Sequence, residues 1–239
     1  MTGASSGIGR AVAVSFADAG ASVIGVGRNA QALSELSDVH PSIETVRCDV
    51  TEEGAPQEII RAAVERWGRL DVLVNGAGIL EMMPLREVTF ERVRRVFDTN
   101  VTAPSLLAGA ALPYLQATRG SIVNIASTFG HRPIAVASHY GASKAAIEHL
   151  TRSWALELAP EGIRVNAVAP GPVESGALSA SGLPQVEVER IKEAEVARIP
   201  LGRRGRPEEI AAWVLRLADP ATEWLTGQVL TVDGGLEIT

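Results

Sequence analysis

Apolar positions along the chain fall into two alternating kinds of run. The short continuous runs "ASVIGVG" (21–27), "IETVRC" (43–48), "LDVLVN" (70–75), "GSIVNIA" (120–126), "IRVNAVAP" (163–170) and "GQVLTVDG" (227–234) read as strands. They are apolar on both alternating faces, the pattern of a parallel sheet covered on both sides. Between them, apolar residues recur at helical spacing and predict helices near 7–19, 29–37, 52–67, 90–117, 138–159 and 207–218. Such alternation implies right-handed βαβ units and an α/β fold, a Rossmann-type doubly wound parallel sheet. One long stretch, 171–206, lacks an obvious strand; it is rich in Gly, Ser, Ala and Pro and then turns helix-like at 185–198. An insertion after a strand's carboxyl end lies where open α/β sheets bind ligands, so this segment is expected to form a substrate lid. No repeat or linker interrupts the pattern, and residues 1–239 read as one catalytic domain.

Composition narrows the function classes. A net charge of −6 argues against a nucleic-acid partner, and the basic "GRRGR" (202–206) is short and reads as a solvated loop before a helix, with docking of an acidic carrier protein as the alternative. Cys48 is the only cysteine, so neither an intrachain disulfide nor a cysteine zinc cluster can form. No apolar run reaches membrane-span length, and the sequence does not open on the charged-then-apolar pattern of a secretory leader. The expectation is a cytoplasmic protein without membrane or metal partners.

The chemistry begins at "MTGASSGIG". Gly3, Gly7 and Gly9 allow positive φ and close approach of a pyrophosphate, which the amino end of helix 7–19 would attract. Strand 21–27 ends in Gly27–Arg28–Asn29. An acidic residue here would grip the ribose 2′-hydroxyl of NAD; glycine leaves room for a 2′-phosphate, and Arg28 can bind it through its guanidinium fork. NADP(H) is therefore favoured over NAD(H), although Ser5 and Ser6 stand where a basic loop residue would strengthen the case. Tyr140 and Lys144, in "YGASK", lie one helical turn apart and share a face. A lysine cation favours phenolate and is expected to lower the tyrosine pKa toward the working range. Ser127 closes strand 120–126 where it could hold a carbonyl, and Asn100 sits inside helix 90–117, where it could bind backbone or an ordered water.

With its glycine loop, "CDVT" (48–51), "NGAG" (75–78), Asn100, Ser127, Tyr140, Lys144, "PGPVES" (170–175) and "TGQVLTVDGG" (226–235), the chain resembles the short-chain dehydrogenase/reductase family over its whole length. The resemblance extends to ketoreductases of the 3-oxoacyl-carrier-protein type. It implies hydride transfer between a nicotinamide and a carbonyl or secondary alcohol, free or tethered to a carrier protein. Tyr140 is then the general acid or base, Lys144 its partner and ribose ligand, Ser127 the residue that orients substrate oxygen, and Asn100 the anchor of a relay water. The implied cofactor residues are Gly3, Ser5, Ser6, Gly7, Ile8, Gly9, Arg28, Asn29, Asp49, Val50, Asn75, Gly76, Ala77, Gly78, Pro170, Gly171, Val173 and Ser175, with Tyr140 and Lys144. Homotetramers through the long helices and the last strand are also implied. Alternatives are an NAD-dependent alcohol or dihydrodiol dehydrogenase of the same fold, or a non-catalytic dinucleotide-binding protein.

Two features depart from the family. Gly76 stands for the second Asn of the usual "NNAG", which is expected to loosen that turn. Only Met1 and Thr2 precede the glycine loop, where the family has a central strand. Its loss would leave a gap with two unpaired edges. Either the coding start lies upstream, with Met1 at the strand's last apolar position, or the strand was lost and the rest adapted. The upstream start is the expectation.

Overall fold

The computed structural model describes residues 1–239. Its six strands are β1 (Val23–Gly27), β2 (Ile43–Arg47), β3 (Val72–Asn75), β4 (Ser121–Ile125), β5 (Arg164–Pro170) and β6 (Val229–Val232). All pairings are parallel, in a two-stranded piece, β1-β2, and a four-stranded piece, β3-β4-β5-β6. Eight α-helices connect or follow them: α1 (Gly7–Asp18), α2 (Ala30–Ser37), α3 (Ala55–Trp67), α4 (Phe90–Phe97), α5 (Ala103–Thr118), α6 (Ser138–Leu158), α7 (Gln185–Val196) and α8 (Pro207–Ala218).

The continuous apolar runs have a direct cause in the layering. Ile59 and Ile60 of α3, Leu107 and Leu115 of α5 and Ala155 of α6 pack with Ile24, Leu73 and Ile122 on one side of the sheet. Val12 of α1 and Ile210 and Val214 of α8 pack with Val74, Val123 and Val168 on the other. Consecutive strand residues therefore face two cores, and each large side chain buried there contributes about 1.5–3 kcal/mol. No helix is long and apolar enough to cross a membrane.

The expected helix 90–117 is two helices. A π-turn over Asp98–Thr102 separates α4 from α5. Pro104 has no N–H to offer the carbonyl of Asn100, so the regular helical ladder fails there and the backbone widens.

The two sheet pieces are joined by the first residues of the chain. The Met1 amino group donates to the Ile24 carbonyl at 2.9 Å, and the Val26 N–H donates to the Met1 carbonyl at 2.9 Å. On the other side the Thr2 N–H donates to the Val74 carbonyl at 3.1 Å. The gap expected from the sequence is thus closed at the end that carries the glycine loop. Below Met1 it remains an apolar slot of about 350 Å³ between β1 and β3.

Candidate active site

The glycine loop is closed by contacts that exclude side chains. Gly3 and Gly7 have φ of +74° and +50°. A Cβ on Gly7 would lie 2.7 Å from the Ser175 carbonyl oxygen, and one on Gly9 would collide with the Gly3 carbonyl. The bare backbone leads into the first turn of α1, whose amides have no helical acceptors. This is a cradle for an anionic group such as a pyrophosphate. It opens into a cleft of about 570 Å³.

Ser5, Ser6, Arg28, Asp49, Val50, Ala77, Gly78, Ser127, Tyr140, Lys144, Pro170, Gly171, Val173 and Ser175 all line this cleft. Three of the residues implied by the resemblance lie off it. Asn29 caps α2, its side chain accepting from the Ala32 N–H at 3.1 Å. Asn75 is buried in β3 and donates to Asn124 at 2.9 Å, and Asn124 donates to Thr151 of α6 at 2.9 Å. Asn100 lies behind the wall. The π-turn aims its amide at Ile79: Oδ1 accepts from the Ile79 N–H at 2.8 Å while Nδ2 donates to the Ile79 carbonyl at 3.0 Å. The same Nδ2 also donates to the Ser143 hydroxyl at 3.0 Å.

Helix α6 presents Tyr140 and Lys144 on one face. The Lys144 ammonium is buried, 5.9 Å from the centre of the Tyr140 ring, and donates to the Ile125 carbonyl at 2.8 Å. Burial lowers the lysine pKa to about 8. It also raises the tyrosine above its ordinary value, while the neighbouring Ser127 hydroxyl pulls the other way. The expected lowering of Tyr140 by Lys144 is therefore not the dominant effect; desolvation outweighs it.

Gly76 does not leave its turn loose. The Thr2 hydroxyl accepts from the Gly76 and Ala77 N–H groups at 3.1 and 3.2 Å. A side chain at position 76 would meet the Met1 methyl group and the Thr2 carbonyl. Thr2 thus ties the start of the chain to the Gly76–Ala77 turn, a contact not foreseen from the sequence although a hydroxyl directly precedes the glycine loop.

His131 does not line the cleft. Its Nδ1 lies 2.7 Å from Glu148 of α6 and its Nε2 lies 3.3 Å from Glu237 near the carboxyl terminus. Leu80, Met82, Phe129, Ile134 and Pro172 supply an apolar wall. Met83 and Thr128 are buried off it, Thr128 donating to Asp233 at 3.2 Å. Over the predicted lid, α7 packs at the cleft edge. Its Glu195 pairs with Arg204, whose guanidinium also donates to the Val173 carbonyl at 2.7 Å and meets Glu174 at 2.8 Å. Arg204 therefore ties the lid helix to the segment after β5, a long-range role that the short basic run did not reveal.

Residues 3–237 match the family model described as enoyl-(acyl carrier protein) reductase. A 3-oxoacyl-[acyl-carrier-protein] reductase of Thermotoga maritima is 38% identical, the match covering 100% of this chain and 96% of the relative. The chain belongs to the short-chain dehydrogenase/reductase family. A cis-4-hydroxycyclohexanecarboxylate dehydrogenase of Sinomonas cyclohexanicum is 39% identical over 98% of this chain and 94% of its own length. A Caenorhabditis elegans short-chain dehydrogenase/reductase of unknown function, solved with cofactor, superposes with a TM-score of 0.93 at 33% identity, covering 100% and 94% of the two chains. As a short-chain dehydrogenase/reductase the protein is an oxidoreductase acting on carbonyl or alcohol substrates.

Proposed function

We propose that this protein is an NADP(H)-dependent ketoreductase that uses Tyr140 as its general acid and base. The observation carrying the proposal is that Ser127, Tyr140 and Lys144 line the same cleft as the glycine-loop anion cradle. The cradle fits a dinucleotide: its glycines stand where a Cβ would collide with neighbouring backbone, and the α1 amides are available to an anion. A bound nicotinamide would supply or accept the hydride. The Ser127 hydroxyl donates to the substrate oxygen and fixes its position. Tyr140 donates its phenolic proton to that oxygen during reduction and takes it back during oxidation. The adjacent Lys144 cation stabilises the phenolate left behind. Asn100 holds Ile79 in the cleft wall and packs on α6 through Ser143, keeping the tyrosine-bearing helix in register.

The preference for NADP(H) rests on the end of β1. Gly27 offers no carboxylate, and a Cβ there would sit 3.0 Å from Ser5. The Arg28 side chain is 70% exposed and held only by a 3.4 Å contact with Asp49. Such a surface pair is worth at most about 1 kcal/mol, so Arg28 is free to turn to a 2′-phosphate. The same Asp49 carboxylate supports the second reading, an NAD-dependent dehydrogenase. The apolar wall suits a ketone or an acyl group, free or carrier-tethered, better than a sugar phosphate. Exposed Leu106 and Leu156 on the long helices α5 and α6 fit burial in a homotetramer, which light scattering checks.

NADPH oxidation measured across a panel of apolar ketones and 3-oxoacyl thioesters tests the proposal. Turnover of at least one substrate, lost in Tyr140→Phe, is expected. Full activity in that variant overturns the assignment of Tyr140.

A further inference from the structure

Helix α6 carries a third polar side chain in line with Tyr140 and Lys144. Glu148 stands one helical turn beyond Lys144, as Lys144 stands one turn beyond Tyr140. The proposed reaction uses the first two residues and leaves Glu148 without a task. Its residue is only 4% exposed. An apolar side chain would fill this place without desolvating a carboxylate, so what Glu148 adds is direction. Its near partner is Nδ1 of His131 at 2.7 Å, while Arg152 lies 3.8 Å away on the exposed side. A carboxylate only accepts, so Nδ1 carries the hydrogen of this bond.

His131 ends a tight turn, Thr128–Gly130, that follows Ser127 directly. Glycines on both partners let that turn lie on the helix. A Cβ on Gly130 would strike the Glu148 carboxylate and come within 3.0 Å of the Lys144 main chain. One on Gly141 would lie 2.9 Å from the Phe129 carbonyl oxygen. Close packing sets the distance between turn and helix but not the orientation of the turn. The His131–Glu148 bond is the only hydrogen bond between residues 128–132 and α6, and it supplies that orientation. The turn then aims Ser127. The Phe129 N–H donates to the Ser127 Oγ at 3.2 Å, and the Gly130 N–H donates to the Ser127 carbonyl at 2.8 Å. With Oγ accepting from Phe129, its hydroxyl hydrogen is left for a substrate oxygen.

We infer that Glu148 and His131 are positioning residues that hold the Ser127 hydroxyl against Tyr140. The inference rests on the reading of Ser127 and Tyr140 as the reacting pair. The contacts close a ring: from Glu148 through the imidazole to the turn, through the Phe129 N–H to the Ser127 Oγ, and back to α6 at Tyr140. The second imidazole nitrogen lies 3.3 Å from Glu237, which keeps the ring from swinging away from Glu148. Ser127 sets where the substrate oxygen sits, and a displacement of about 1 Å from the proton donor costs about a hundredfold in rate.

The test compares Glu148→Gln, which keeps an acceptor for the Nδ1 hydrogen, with Glu148→Leu, which keeps the volume alone. Glu148→Leu is expected to lower kcat about ten- to hundredfold while the Kd of NADPH stays within about twofold; Glu148→Gln should stay within about threefold of the parent in both. Hydrogen exchange at the Phe129 and Gly130 amides should quicken more than about tenfold in Glu148→Leu and not in Glu148→Gln. In a Ser127→Ala background, single-turnover rates should fall less than about twofold further on adding Glu148→Leu, because the group it positions is already gone. Parent kcat or parent exchange in Glu148→Leu overturns the proposal. So does a full further loss in the Ser127→Ala background, or a Glu148→Gln protein as impaired as Glu148→Leu. His131→Ala breaks the same bond from the loop side and is judged by the same exchange measurement should Glu148→Leu fail to fold. Exchange needs no substrate, so a chain that reduces no ketone refutes the ketoreductase reading while the clamp is still decided at Phe129 and Gly130.

Discussion

Asn100 grips Ile79 by both of its main-chain groups, accepting from its N–H at 2.8 Å and donating to its carbonyl at 3.0 Å. Asn100 is buried, and Ile79 lines the cleft, so a side chain in the π-turn sets the shape of the cleft. Asn100→Ala leaves two polar groups of a partly buried backbone without partners. The expected cost is about 2–4 kcal/mol of stability, together with a raised KM as the Ile79 segment relaxes. Asn100→Asp keeps the acceptor for the Ile79 N–H but turns a carboxylate toward its carbonyl, and should not rescue. Thermal melts and steady-state kinetics on both variants check this.

Lys144 is expected to weaken the fold while serving the chemistry. Its pKa falls from 10.5 to about 8, a penalty on the buried cation of about 3 kcal/mol. The unfolded chain keeps its proton up to 10.5, so this group makes stability rise with pH between about 8 and 10.5. Below 8 the full penalty applies. Lys144→Met removes the penalty but strands the Ile125 carbonyl, at a cost of about 1–2 kcal/mol. The balance favours the variant: at pH 7 it should be inactive yet more stable than the parent by about 1–2 kcal/mol. Denaturant unfolding at pH 7 and pH 10 checks both the sign and the convergence of the two proteins at high pH.

Gly9→Ala tests the cradle. The new methyl group must enter the space of the Gly3 carbonyl, and backbone cannot move away as a flexible side chain can. Dinucleotide affinity should fall more than about a hundredfold with little change at the distant His131–Glu148 contact. Titration calorimetry with NADPH measures the loss.

Arg28→Ala separates the two cofactors. With only a weak exposed partner in Asp49, the side chain contributes little to the fold. Its removal should leave Tm within about 1 °C. The kcat/KM for NADPH should drop about ten- to hundredfold, as expected for one charge-assisted phosphate contact, with NADH unaffected. Equal losses for both cofactors would remove the basis of the NADP(H) reading.

The strands and most helix ends were legible because burial on two faces leaves a continuous apolar trace. The π-turn was not, since it arises from one missing N–H at Pro104 within an otherwise helical pattern. Tyr140, Lys144 and Ser127 were legible because helical spacing and a strand end place them without knowledge of tertiary contacts. Thr2, Arg204 and His131 were not legible in their actual roles. Each acts on residues distant in the chain, Thr2 on Gly76, Arg204 on Val173, His131 on Glu148 and Glu237. Local pattern carries no record of such meetings. The pKa of Tyr140 was misjudged for a related reason: adjacency to Lys144 is written in the sequence, whereas desolvation depends on everything packed around the ring.

A chain that begins at Met1 is expected to carry a distinctive acid sensitivity. Its pKa drops from 8.0 to about 5 on folding, because the amine is desolvated between β1 and β3. Between pH 5 and 8 the unfolded chain holds a proton that the folded chain does not. Folding therefore releases a proton, and stability rises with pH across that window. The full difference is about 4 kcal/mol, lost on going from pH 8 to pH 5. Buried carboxylates such as Glu81, held low by Arg92 and Arg95, lose their stabilising charge only in more acid solution and leave this window clear. Chemical unfolding of the 239-residue chain at pH 5, 6, 7 and 8 should show the slope. Acetylating the Met1 nitrogen should flatten it, because an amide binds no proton in either state. A slope of the same size in the acetylated chain would assign the acid sensitivity to another group and show that Met1 does not bury its charge.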